Sequence, residues 1–374
     1  MIEHWKTIIS RKDDMVNNKD FDGDFKLYAP KFDEEATKDK ATIGKAATGK
    51  ANEGKNTCAD VKTDDKDDVD SDSGVSIRGK VVSDLIMHFT NDFSIGKKIK
   101  TGELRRKLVE PAWKVPDCFT MTHIDMPDFT MKYLASKENP NTDRVILQLH
   151  GGGYMGRVRN AYYVFAGLYN EVSGGCCVLT PDYRVAPEDP YPAALKDAVE
   201  AYKWLLDRGY SGEQIIVAGD SAGGGLAMCL TMYLRDHNMP MPGGIVAMSP
   251  WTDLTASGES YTTNYEKDPL FGNTKNSLIY ENAYAGDHDK MDCYISPLFG
   301  DFRGFPPMLI QVGSIEMLLS DSIEAAAKAR SQGVKVRLSV YEGMFHVFQM
   351  GYLSIPESKR AWSEVKKFLE VISF

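Results

Sequence analysis

The sequence predicts an α/β architecture: a mainly parallel central sheet with helices on both faces. Two patterns carry the prediction. Short apolar runs at 145–149, 176–180, 215–218 and 244–248 are nearly continuous, as strands buried on both faces should be, instead of alternating with polar residues. Stretches with apolar residues at helical intervals lie between these and later runs, and strand alternating with helix is the pattern of parallel sheets joined by right-handed crossovers.

In chain order, Val81, Leu85, Ile86, Phe89 and Phe93 fall at helical spacing, and a second candidate helix covers 101–109 and stops before Pro111. Residues 124–133 read as a strand. The run 145–149 breaks into His150-Gly151-Gly152-Gly153-Tyr154, and the run 176–180 ends at Pro181. A helix over 193–208 carries Ala194, Val199, Tyr202, Leu205 and Leu206 and is stopped by Gly209. Strands at 215–218, 244–248, 308–312 and 334–341 and helices at 222–236 and 321–332 complete the alternation. The segment 255–294, rich in Asn, Tyr, Gly and Asp and without a clear period, is expected to serve as a lid or pocket wall.

The first 74 residues have a different character. From about 32 to 74 the chain is Lys, Asp, Ala, Thr and Gly with almost no large apolar side chain, too little to offset the entropy of ordering, so a flexible tail is expected. Phe21, Phe25, Leu27 and Tyr28 before it are a candidate docking segment. Gly44 to Lys50 has P-loop spacing, but Ala51 stands where a hydroxyl should hold magnesium and no strand precedes it. The acidic run from Asp64 to Asp72 lacks the glycine register and closing glutamate of a calcium loop. Residues 75–374 remain as one catalytic domain, a length that α/β units commonly reach.

A net charge of −9 argues against nucleic-acid or anionic-membrane partners, which reward clustered basic surface. Six cysteines at 58, 118, 176, 177, 229 and 293 show no CxxC pair, and read as reduced packing residues of a cytoplasmic protein. No apolar run has signal-peptide or membrane-spanning character, and nothing demands a metal or organic cofactor.

The chemistry concentrates in Gly219-Asp220-Ser221-Ala222-Gly223. It fits G-x-S-x-G between an apolar strand and a helix, a context in which the serine projects from a sharp turn and flanking Cβ atoms would clash. The helix N-terminus places unpaired N–H groups beside that serine. His150 to Gly153 follows a strand end upstream, from which a glycine loop offers further backbone donors. A serine nucleophile needs a base and the base an orienting acid, in chain order serine, carboxylate, histidine. His346 follows the last strand; of the other histidines, His150 belongs to the glycine loop, His4, His88 and His123 precede the sheet, and His237 and His288 do not follow strands. Glu316 follows the strand 308–312 and is the candidate acid. Asp321 and Glu342 are its rivals, the first reading better as the N-cap of the next helix and the second standing close in sequence to His346.

His150-Gly151-Gly152-Gly153, Asp182 to Glu188, Gly219-Asp220-Ser221-Ala222-Gly223-Gly224, Ser249-Pro250-Trp251, Ile295-Ser296-Pro297-Leu298 and Gly343-Met344-Phe345-His346 together resemble the hormone-sensitive-lipase-like esterases, GDSAG branch, of the α/β-hydrolase fold. The resemblance runs from about Val75 to the C-terminus. It implies Ser221 as nucleophile, His346 as base, the N–H groups of Gly152, Gly153 and Ala222 as the oxyanion hole, and residues 75–115 as cap helices over a core of 116–374. In the family the acid is usually Asp within Asp-Pro-Leu; here the matching stretch is Glu316-Met317-Leu318. It further implies that the charges of 182–188 pair to hold their loop, that the substrate is a short to medium acyl ester, and that a homodimer forms through a sheet edge or the last helix. Alternatives on the same fold are a catalytically inactive ligand-binding protein, as in plant hormone receptors that have lost the histidine, and an amidase or peptidase using the same triad.

Overall fold

The computed structural model describes residues 74–372, apart from 93–97, 99–100, 104–105, 107–108, 139 and 353. The P-loop-like and acidic motifs, the docking segment and nearly all of the expected tail lie outside the described residues, and the second candidate helix is seen only in part, with Glu103 and Arg106 helical. Eight strands form one sheet in the order β1-β2-β4-β3-β5-β6-β7-β8. In chain order the main elements are α1 (Ile77–Asp92), β1 (Phe119–Asp125), β2 (Thr130–Ser136), β3 (Asn141–Leu149), α2 (Asn160–Val172), β4 (Cys176–Asp182) and α3 (Ala193–Asp207). They continue with β5 (Ile215–Asp220), α4 (Ala222–Asp236), β6 (Gly244–Met248), β7 (Met308–Gly313), α5 (Leu319–Ser331), β8 (Val336–Tyr341) and α6 (Pro356–Val371).

From β4 through β3, β5, β6 and β7 to β8 all neighbours are parallel, while β2 runs antiparallel to β4 and to β1. The expected single strand at 124–133 is therefore corrected to the end of β1 and the start of β2. Met126 N–H donates to Phe129 O at 2.9 Å, and Pro127-Asp128 supply the turn chemistry between them.

Strand periodicity divides the interior into two cores. Leu147, Leu179, Val217, Ala247 and Ile310 face the layer of α3, α4 and α5, whereas their neighbours Ile146, Val178, Ile216, Val246 and Leu309 face α2 and α6. Both faces are covered, which is why these strands read as continuous apolar runs. Helices α2 and α6, not singled out by the sequence reading, close the second face; Trp362 of α6 meets Phe165 and Tyr169 of α2 edge-on at 5.2 and 5.0 Å.

Helix α1 is fastened by its first turn. Ser76 Oγ accepts from Gly79 N–H at 2.9 Å, as an N-cap does, and also donates to Glu357 Oε2 at 2.7 Å on α6. Val75 and Ile86 pack with Met344, Phe345 and Phe348, so α1 leans on the loop after β8. No described helix is long and apolar enough to cross a membrane. Cys176, Cys177 and Cys229 are buried as expected of packing residues, but Cys118 is exposed, on the approach to the edge strand β1.

Trp362 is 1 % exposed, and its indole N–H donates to Gln349 O at 3.2 Å. Trp362→Ala should lower unfolding free energy by about 3–5 kcal/mol through lost burial and a residual cavity, read as a fall in the urea midpoint at unchanged m-value.

Candidate active site

Strand β5 ends at Asp220 and α4 begins at Ala222, so the chain turns on one residue, Ser221, at φ 55° and ψ −125°. A non-glycine in that region costs on the order of 1–3 kcal/mol and persists only where its surroundings over-determine it. Here they do. Ser221 N–H donates to Met248 O at 2.9 Å, and Ser221 O accepts from the N–H groups of Gly224, Gly225 and Trp251 at 3.0, 3.1 and 2.9 Å. The flanking glycines are demanded by proximity: a Cβ on Gly219 would stand 2.3 Å from Gly223 O, and one on Gly223 2.1 Å from Leu149 O.

Parallel strands end together, so the loops after β3, β5, β6, β7 and β8 share one rim of the sheet. Gly313 and Tyr341 are register partners at the ends of β7 and β8, and the loops that follow carry Glu316 and His346. His346 Nε2 lies 2.9 Å from Ser221 Oγ, and His346 Nδ1 lies 2.9 Å from Glu316 Oε2. The three side chains belong to residues 7 %, 5 % and 0 % exposed, so these contacts are made out of bulk water. The backbone around Glu316 is held by Asn264, whose Nδ2 donates to Ser314 O at 3.0 Å and Glu316 O at 2.8 Å.

The rival acids stand elsewhere. Glu342 is exposed. Asp321 is not the N-cap of α5, a place taken by Leu318, but a buried residue of its first turn. Its Oδ2 accepts from the N–H groups of Thr252 and Asp253 at 2.7 and 2.8 Å, and its Oδ1 from Tyr261 OH at 2.8 Å, so it organises the loop after β6.

The glycine loop after β3 packs against the Ser221 turn through Asp220. Asp220 Oδ1 accepts from Gly151 N–H at 3.1 Å and Oδ2 from Tyr162 OH at 3.1 Å, and a Cβ on Gly151 would stand 2.3 Å from that Oδ2. Gly152 and Gly153 have φ of 131° and 63°, conformations that favour glycine. Among the described residues, no hydrogen bond engages the N–H groups of Gly152, Gly153 or Ala222. His150 is stacked on Tyr183 at 4.0 Å beneath this loop, a packing role.

The expected lid or wall at 255–294 is seen as loops around a single helical turn, Ser260–Thr263. Phe271 meets the His346 ring edge-on at 4.8 Å, and Leu278 Cδ1 lies 2.6 Å from where a Cβ on Gly153 would stand. Asn282 Nδ2 donates to Gly153 O at 2.8 Å. Asp268 ties this wall to the acid loop, accepting from Phe271 N–H at 3.0 Å and Met317 N–H at 2.8 Å. Sequence reasoning passes over Asp220, Asp268, Phe271, Leu278 and Asn282. Asp220 carries a signal as the variable residue of the pentapeptide, whereas the aperiodic wall carries none. Two of the three charges of 182–188 pair, with partners outside the segment: Asp182 with Arg157 at 2.7 Å and Arg184 with Asp197 at 2.6 Å.

Comparison with known proteins places the chain among the α/β hydrolases. A family model described as the alpha/beta hydrolase fold matches residues 146–350. An acetyl-hydrolase of Streptomyces hygroscopicus is 38 % identical over 227 residues, 60 % of this chain and 75 % of its own. An esterase of Acinetobacter venetianus is 35 % identical over 233 residues, 62 % of this chain and 76 % of its own. A solved esterase from the bacterial hormone-sensitive lipase family aligns with a TM-score of 0.66 at 33 % identity, covering 75 % of this chain and 98 % of that one.

Burial pushes the Asp321 carboxyl up from its ordinary 3.8 to about 8, against the donors that favour its ionised form. A folded-state value above the unfolded one means that the native protein holds this proton more tightly. The resulting stability is complete below 3.8 and lost as pH rises through about 8. Urea midpoints measured across that window should fall for the wild type, and Asp321→Asn, which does not titrate, should flatten the profile.

Proposed function

From the premise that this chain belongs to the α/β-hydrolase fold family and is a serine ester hydrolase akin to the bacterial hormone-sensitive-lipase-type esterases, we propose that it cleaves short to medium acyl esters through a Ser221-His346-Glu316 triad and an acyl-enzyme intermediate. The observation that carries the reading is the unbroken chain of two 2.9 Å contacts from Ser221 Oγ through the imidazole to Glu316 Oε2.

In the first half-reaction Ser221 Oγ attacks the ester carbonyl while His346 Nε2 takes its proton. Glu316 accepts from Nδ1–H, which fixes the tautomer and stabilises the imidazolium as it forms. The carbonyl oxygen becomes an oxyanion, and the proposed donors to it are the N–H groups of Gly152, Gly153 and Ala222. Their suitability rests on being uncommitted to other bonds among the described residues and on Ala222 opening α4, where the helix dipole favours negative charge. Collapse expels the alcohol with the proton from His346. Water then enters, is deprotonated by His346, attacks the acyl carbonyl, and the acid leaves as Ser221 recovers its proton.

The acyl-length assignment is supported by the wall. Phe271 and Leu278 are 6 % and 3 % exposed and lie against His346 and the glycine loop, bulky apolar groups beside the proposed reacting centre. Residues 75–115 are assigned to a cap and 116–374 to the core; the packing of α1 on the His346 loop supports that division.

Ser221→Ala should lower kcat/KM for a p-nitrophenyl ester by on the order of 10⁴-fold or more and abolish fluorophosphonate labelling, and Glu316→Gln should cost roughly 10³–10⁴-fold in kcat. A Ser221→Ala protein as active as the wild type would sink the mechanism. Across a p-nitrophenyl series from acetate to palmitate, kcat/KM should peak at short to medium chains, and a maximum at palmitate would contradict the substrate assignment.

Gly153→Ala offers a separate test of the oxyanion donors. Its Cβ must meet Leu278 at a φ of 63°, so the loop should shift and kcat should fall by on the order of 100-fold, as for loss of one donor. Wild-type kcat in this variant would argue against the glycine loop as the oxyanion site.

A further inference from the structure

Strand β6 lies between β5, which delivers the nucleophile, and β7, which delivers the acid. Its carboxyl end carries a serine that the reaction scheme leaves unused. Ser249 follows Met248, is fully buried, and has φ 47°. Its N–H donates to Gln311 O of β7 at 2.6 Å, which fixes the backbone. Its hydroxyl reaches out of the sheet to two groups of the rim: Glu316 Oε1 at 2.7 Å and Val347 N at 3.1 Å.

The direction of both bonds follows from chemistry. Val347 N–H can only donate, so Ser249 Oγ accepts from it, and the hydroxyl's single proton goes to the carboxylate. Val347 is next to His346 and also holds a left-handed backbone, φ 51°. Two strained non-glycine residues thus face each other across one hydroxyl, beside a third at Ser221. Such conformations are retained where surrounding structure over-determines them, and they cluster at sites whose geometry matters.

Glu316 Oε1 accepts from Ser249 and, at 2.6 Å, from Gly313 N–H, while Oε2 faces His346 Nδ1. A glutamate has one more side-chain torsion than an aspartate, so a carboxylate on this stem is free to swing unless its far oxygen is held. Gly313 N–H supplies one fixed point from the acid's own strand. Ser249 supplies the second, from a different strand, and ties it to the backbone of the histidine loop. We infer that Ser249 is a positioning residue, locking the Glu316 carboxylate and the His346 loop into one arrangement through its hydroxyl. The inference rests on the triad assignment of Ser221, His346 and Glu316.

A hydroxyl that merely satisfied two buried groups would affect stability and leave turnover of the folded protein alone. The test therefore uses the full chain, assayed well below each variant's unfolding midpoint, with Ser249→Ala, Ser249→Gly and Ser249→Cys. Glycine adopts φ 47° without strain, so a loss shared by the alanine and glycine variants belongs to the hydroxyl and not to the backbone. Expected for both is a fall in kcat of about 10–100-fold with KM within about twofold, since a hydrogen bond to a charged group is removed from the transition state. Cysteine, a weak donor, should fall between. In a Glu316→Gln background Ser249→Ala should change kcat by less than about twofold, because the two residues act as a unit. Wild-type kcat in both the alanine and glycine variants, or losses that multiply in the Glu316→Gln background, would overturn the role of Ser249 while leaving the triad intact. Wild-type kcat in Glu316→Gln alone would remove the acid assignment and this inference with it.

Discussion

The backbone at Ser221 decides where everything else must stand. A strand running directly into a helix through one left-handed residue leaves no space beside it, and Gly219 and Gly223 approach other main-chain oxygens to distances at which a Cβ cannot exist. The turn is closed by main-chain groups of β6 and the loop beyond it, from Met248 O on one side and Trp251 N–H on the other. Strain at one serine is thereby balanced by four hydrogen bonds that involve no side chain. The hydroxyl emerges at the sheet rim at the start of a helix, where partial positive charge gathers. Position, direction of the hydroxyl and local field all follow from one turn.

The second constraint is the parallel register. Because β5 to β8 end side by side, residues separated by more than a hundred positions in sequence reach one another from short loops. Several loops of the rim are then pinned to a neighbour by a buried carboxyl or amide group: the glycine loop by Asp220, the Glu316 loop by Asp268 and Asn264, the loop after β6 by Asp321. Buried polar groups are costly to leave unpaired, so these bonds to the backbone make the position of one loop depend on the next. The rim is thus a set of loops joined to one another by buried hydrogen bonds.

Much of this is legible in the residues alone. Strands buried on both faces announce themselves as apolar runs, and G-x-S-x-G between a strand and a helix is a spacing that ordinary turns seldom require. Ser221, His346 and Glu316 therefore stand out by their places after strands. The misreadings have physical causes. Ile124 to Tyr133 reads as one strand because the Met126 to Phe129 turn has apolar residues at both ends. Asp321 reads as a cap because it is an acidic residue near a helix start, and its actual bonds to Thr252, Asp253 and Tyr261 depend on a fold in which the loop after β6 returns to α5. Phe271, Leu278 and Asn282 carry no periodic signal, since a wall held by side-chain bonds to distant loops need not repeat.

That last contrast separates two kinds of information in the chain. The groups proposed to make and break bonds sit on strand ends, where the sheet fixes them and sequence patterns betray them. The groups that line them sit in 255–294, whose course is set by long-range bonds such as Asn282 to Gly153 and Asp268 to Met317. The 2.9 Å contacts of His346 are made by residues at or just beyond the ends of β5, β7 and β8. An aperiodic segment and a registered sheet thus meet at Gly153 and His346, where Leu278 and Phe271 come against them.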